Sequence, residues 1–123
     1  MEASIAAAVG EYTFDLEALV AEALAMWPRS RFARYDGRLA SFAVGQLQLL
    51  DEHGDDVLLV DLLTGGGGLD LERSEIAGAE FISWLTNRND FPDGAVMLFN
   101  WSQDFMPLRP GMNAAELLAA YDQ

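Results

Sequence analysis

The sequence predicts an α+β fold: an antiparallel sheet of about four strands, with two or three helices packed mainly on one face. Three observations predict it. Apolar residues make up 51% of the 123-residue chain, enough for a packed core. Strand-like runs cluster between residues 31 and 63, which implies hairpins rather than parallel crossovers. Helix-like periodicity flanks that cluster on both sides. The expected order is helix, three strands, helix, strand, helix. It fits one domain over residues 1–123, with no linker or internal repeat.

Residues 1–12 have no clear period, and Ser4 to Val9 suits either a short strand or a helical turn. Thr13 to Trp27 reads as the first helix, with Leu16, Leu19, Val20, Ala23, Leu24 and Trp27 on one stripe. Thr13 is the expected N-cap. Pro28 stops the helix, because the residue before a proline avoids helical geometry.

Arg31 to Tyr35 alternates polar and apolar residues and precedes Asp36-Gly37, a strong hairpin signal. Leu39 to Leu50 follows. Its alternation changes phase at Gly45, which predicts a bulge or bend there. A polar turn, Asp51 to Asp56, leads to Val57–Leu63, apolar enough for an interior strand. Gly65 to Gly68 breaks the chain. A second helix begins at about Asp70 or Ser74 and runs to Thr86. Ala95 to Trp101 is the fourth strand, and Met106 to Arg109 has extended character. Asn113-Ala114-Ala115-Glu116 matches a capping box ahead of a short last helix.

The missing residue types limit the chemistry. The chain has no cysteine, which excludes disulfides, zinc–thiolate sites, iron–sulfur clusters and thiol catalysis. It has one histidine, His53, set in a polar turn, so a histidine pair for a metal is impossible. The glycine run lacks the Lys-Ser/Thr of a phosphate loop, and Asp70 and Glu72 after it would repel phosphate. Asp51, Glu52, Asp55 and Asp56 lack calcium-loop spacing. No nucleophile elbow occurs. The expectation is a chain without metal, cofactor or catalytic residues, and not an enzyme.

The first ten residues lack the positive charge of a secretory signal, and the longest apolar run is too short to span a bilayer. The chain therefore reads as cytoplasmic.

Charge is the strongest compositional signal. There are 20 acids, and the 7 basic residues are all arginine, for a net charge of −13. A polyanion disfavours nucleic acid and anionic membranes as partners and favours a cationic one. The charge is uneven. Arg29, Arg31, Arg34 and Arg38 fall close together with one acid, Asp36, among them. This predicts either a basic spot on a negative body or arginines that flank a strand and pair with nearby acids.

Phe91-Pro92-Asp93-Gly94 before a strand, then Pro107 to Met112 before a short helix, together with small size and acidity, resemble the immunity proteins of bacterial contact-dependent and polymorphic toxin systems. The resemblance implies a domain that binds and neutralises a cognate toxin, often a basic nuclease. The element order from Asp15 to Asp122 is also similar to class I chaperones of type III secretion, which bind a secreted effector as dimers. That resemblance implies a dimer contact from Ile76–Leu85 and Val96–Trp101. It also calls for a further strand after the aromatic segment, for which Met106 to Arg109 is the candidate. The sequence leaves the oligomeric state open.

The expected partner is another protein. Candidate contact residues are the acids Asp51, Glu52, Asp55, Asp56, Asp61, Asp70, Glu72 and Glu75. Trp101, Asp104 and Phe105 join them as aromatic and acidic anchors near a strand end.

Overall fold

Alternating burial along two long strands sets the architecture. In Ala43–Leu50 every second residue is buried, and in Asp56–Leu63 Leu58, Val60 and Leu62 are, with Leu59 buried on the opposite face. The computed structural model describes residues 2–6, 15–64, 68–88, 91, 96–99 and 105–121. Among these, the chain is an α+β domain in which the expected order of helices and strands holds. Its strands are β1 (Glu2–Ala6), β2 (Arg31–Arg34), β3 (Ala43–Leu50), β4 (Asp56–Leu63), β5 (Gly68–Arg73), β6 (Val96–Phe99) and β7 (Phe105–Pro107). The helices are α1 (Leu16–Met26), α2 (Glu75–Thr86) and α3 (Ala114–Tyr121).

The described strands form one sheet of seven in the order β2-β3-β4-β5-β1-β6-β7, and all its pairings are antiparallel. The sheet is therefore wider than the four strands expected. Of the added strands, β1 lies between β5 and β6, with Ile5 opposite both Leu69 and Met97. The added strand β5 corrects the expectation that a helix could begin at Asp70. Leu69 and Leu71 are buried between the less buried Asp70 and Glu72, a two-residue period that fits a strand. The added strand β7 occupies the stretch with extended character and pairs with β6.

The helix ends follow from their caps. α1 starts later than Thr13 because Asp15 caps it, its Oδ1 accepting the Ala18 N–H at 3.1 Å. Thr13 lies outside the described residues. The helix stops at Met26, just before Pro28, and the Trp27 N–H donates to the Ala23 carbonyl at 2.9 Å. α2 starts at Glu75 with Ser74 Oγ accepting the Ala77 N–H at 3.2 Å. At α3, Asn113 Oδ1 accepts the Glu116 N–H at 2.9 Å, and Glu116 returns the contact to the Asn113 side-chain amide at 3.0 Å.

The bulge expected near Gly45 is present, with the β3–β4 register shifting between Ala43 and Gly45. The Phe32 ring lies against Gly45, where a side chain would not fit. Asp36-Gly37 does turn the chain, with Gly37 at a φ of 61°. The connection is longer than a tight hairpin, because a 3₁₀ turn at Leu39–Ser41 precedes β3.

One hydrophobic core joins sheet and helices. Leu47, Leu49, Leu58, Val60, Leu62, Leu69 and Leu71 line one sheet face. Leu19 and Ala23 of α1 and Ala79, Phe81, Ile82 and Leu85 of α2 belong to the same core. Each such Leu, Ile or Phe contributes roughly 1.5–3 kcal/mol by leaving water. Trp27, Phe81 and Trp84 form an aromatic cluster between the helices, with ring centroids 5.2–5.8 Å apart. Arg88 lies over the Trp84 ring at 5.2 Å and forms an ion pair with Glu22 of α1. The loop after β7 is tied to α2 through the Met112 carbonyl, which accepts from Ser83 Oγ, Thr86 Oγ1 and Asn87 Nδ2.

Candidate functional site

The sheet face turned away from the core carries polar side chains by the same two-residue alternation, set around the buried Leu59. Register places Gln46 of β3 opposite Asp61 of β4, and Asp61 opposite Asp70 of β5. Two residues along, on the same face, Gln48 lies opposite Leu59, and Leu59 opposite Glu72. On β2, Arg31 lies opposite Gln48 and Ala33 opposite Gln46. Tyr35 follows on the same side, its N–H donating to the Val44 carbonyl at 3.0 Å.

These side chains form a hydrogen-bonded chain across three strands. Arg31 Nε donates to Gln48 Oε1 at 2.5 Å, and Gln48 Nε2 donates to Gln46 Oε1 at 2.9 Å. Gln46 Nε2 and the Tyr35 O–H both donate to Asp61 Oδ1, at 3.2 and 2.9 Å. Arg31 also reaches Asp56 at 3.9 Å. Linked this way, the side chains lose rotamer freedom, which holds the Asp61 carboxylate and the Arg31 guanidinium in place.

Tyr35 reports the field here. Its phenol is pushed up to about 12, first by burial, then by the hydrogen bond to Asp61 and the charges of Asp61 and Glu72. Each of these favours the neutral phenol, which keeps its proton and remains a donor to Asp61.

The predicted site residues separate into groups. Asp61 and Asp70 are half-buried on this face, and Glu72 beside them is exposed. Asp51, Glu52 and Asp55 lie in the β3–β4 turn at one end of the sheet, and Asp56 opens β4 beside them. Asp51 has a local role there: its Oδ1 accepts the N–H groups of His53 at 2.8 Å and Asp55 at 3.0 Å. That bonding shapes the turn and leaves Glu52, Asp55 and Asp56 exposed. His53 is an exposed residue of the same turn. Glu75 opens α2 and Phe105 opens β7, and for both only the backbone is described. Trp101 and Asp104 lie outside the described residues. Among the described residues, no group of three or more histidines and carboxylates could hold a metal ion.

Reading the sequence for acids and aromatics misses Tyr35, Gln46 and Gln48. A signal for them existed. Gln46 and Gln48 alternate with Gly45, Leu47 and Leu49, which marks an outward polar row on a half-buried strand.

The arginine-rich segment forms the sheet edge on β2 and its flanking turns, and Arg29, Arg31, Arg34 and Arg38 are all exposed. Both sequence expectations hold in part. Arg31 contacts Asp56, whereas Arg34 lies over the Phe32 ring at 5.6 Å.

Searches of protein-family models, curated proteins and solved structures return no match to the chain. Among the described residues, no helix is long and apolar enough to cross a membrane.

Proposed function

We propose that the chain is a non-catalytic protein-binding domain that neutralises a cationic partner, in the manner of the bacterial immunity proteins it resembles. The supporting observation is the register of Asp61 opposite Asp70 with Glu72 beside them, on the sheet face away from the core. Like charges set directly across a ladder repel and lower stability. A guanidinium or ammonium brought between them is attracted by both, so the arrangement favours a bound cation. The acidic turn at Glu52, Asp55 and Asp56 extends the negative potential, which steers a basic partner toward the face. The partner in this reading is a cognate toxin.

The secretion-chaperone reading gains the strand it calls for, because β7 pairs with β6. It also needs an apolar face of α2 free for a second copy. Phe81, Ile82 and Leu85 are fully buried within the protomer, and Ile76, at 63% exposure, is the large apolar residue that α2 leaves open. The immunity reading is therefore preferred.

The test is affinity capture from the native host, comparing the wild-type chain with the triple variant Asp61→Asn, Asp70→Asn, Glu72→Gln. The expected outcome is a basic protein held one-to-one by the wild type and released by the variant, with an association rate that falls as salt rises. Equal capture by both, or a rate indifferent to salt, would show that the acidic face is not the binding surface. A stable dimer holding an extended effector segment would replace immunity with the chaperone reading.

A further inference from the structure

Helix α1 carries apolar residues that the core buries only in part. Leu19 and Ala23 are buried in the core, while Leu16, Val20 and Leu24 are only half-buried. With Phe32 of β2 and Val44 of β3 they line a groove of about 360 Å³ between α1 and the sheet edge, rimmed by Glu17 on the helix and Arg34 on the strand. Among the described strands the sheet ends there, with β2 terminal. Tyr35 bonds to Val44 on β3. By antiparallel alternation Arg31 and Ala33 also turn their backbone groups toward β3, so Phe32 and Arg34 turn theirs outward. One more strand beside β2 would bond to those outward groups and cover Leu16, Val20 and Leu24.

Charge selects which strand that is. Arg29, Arg31, Arg34 and Arg38 are exposed along this edge. A second copy of the chain would set its own arginine edge against this one, and a basic segment would be repelled in the same way. We propose that the β2 edge takes an extended segment of another protein, in which apolar residues facing the groove alternate with acidic residues on the opposite face, where Arg31 lies. Backbone pairing supplies affinity, and the groove and arginines supply selectivity. The surface differs from the acidic sheet face and wants the opposite charge, so either proposal can fail without the other.

The test uses the isotope-labelled full-length chain and two blocked peptides, one alternating valine with glutamate and one alternating valine with lysine, read by NMR. The valine–glutamate peptide is expected to shift the Phe32 and Arg34 amides saturably and to slow their hydrogen exchange, while the lysine peptide does neither. Arg31→Glu, on the face where the acidic residues of the segment fall, is expected to weaken that binding by about tenfold or more, at 1.4 kcal/mol per tenfold. Arg31→Gln, which removes the charge but keeps a polar stem, serves if the reversal lowers the melting temperature. Equal binding of both peptides, shifts confined to the Asp61 face, self-association through β2, or no saturable shift would each overturn the proposal.

Discussion

Tyr35 and Asp61 meet across an intervening strand: the phenolic O–H at the end of β2 donates to Asp61 Oδ1 on β4 at 2.9 Å, beside the Gln46 amide of β3. The bond ties the edge of the sheet to its interior and fixes one carboxylate of the proposed binding face. Removing the hydroxyl leaves a half-buried Asp61 oxygen with one fewer donor. Tyr35→Phe is expected to cost about 1–2 kcal/mol in urea unfolding. It is also expected to weaken partner capture, because Asp61 loses its fixed position. Unchanged stability would show that water replaces the hydroxyl without loss.

The same tyrosine predicts an alkaline limit. Its folded pKa, about 12, lies above the ordinary 10. Between those values the unfolded chain has lost the proton that the folded chain keeps, so stability falls as pH rises. The contribution is complete below about pH 10 and is lost on passing about 12. Urea midpoints measured across that window should decline in the wild type and decline less in Tyr35→Phe.

Gly45 is required by its neighbours. A Cβ at this position would lie 2.4 Å from Phe32 Cζ and 2.6 Å from the Ala33 carbonyl oxygen. Gly45→Ala is expected to destabilise by about 1–3 kcal/mol through overpacking. Phe32→Leu should recover only part of that loss, since the backbone carbonyl stays in place. A double-mutant cycle in urea separates the two contacts. Full recovery would assign the whole clash to the ring.

The α2 cap is a smaller, separable contribution. Ser74→Ala removes the acceptor for the Ala77 N–H and is expected to cost about 1 kcal/mol, while Ser74→Gly costs a few tenths. The Ser74 N–H still donates to the Val57 carbonyl at 3.0 Å in both variants. Equal losses would point to a packing role for the Ser74 side chain.

Arg88 joins the two long helices. Its side chain is 11% exposed, over Trp84 and paired with Glu22, which is 59% exposed. Glu22→Gln is expected to cost no more than about 1 kcal/mol, because water replaces much of the exposed carboxylate's role. Arg88→Ala should cost more, since it also uncovers Trp84. Thermal melts of the two variants rank them, and the reverse order would show that the ion pair outweighs the stacking.

Much of the fold was legible locally. The Leu16–Leu24 stripe, the Pro28 stop, the Asn113–Glu116 cap and the bulge near Gly45 each follow from neighbouring residues, and each is present. β5 was legible too, because Leu69 and Leu71 alternate with Asp70 and Glu72, but the adjacent glycine run and the Ser74 cap drew attention to a helix start. β1 was not legible. Glu-Ala-Ser-Ile-Ala has little strand preference of its own and becomes a strand between β5 and β6, where both backbone edges are paired.

The sequence by itself determined the class of fold, the negative charge and the arginine cluster, because these depend on composition and on periods of a few residues. Only the tertiary structure decided where the charges stand. Asp61, Asp70 and Glu72 share one face because β4 and β5 pair in a register set by their buried leucines. The four arginines define an edge because, among the described residues, β2 is the terminal strand of the sheet. Both outcomes depend on contacts between residues far apart in the chain, which no local pattern encodes.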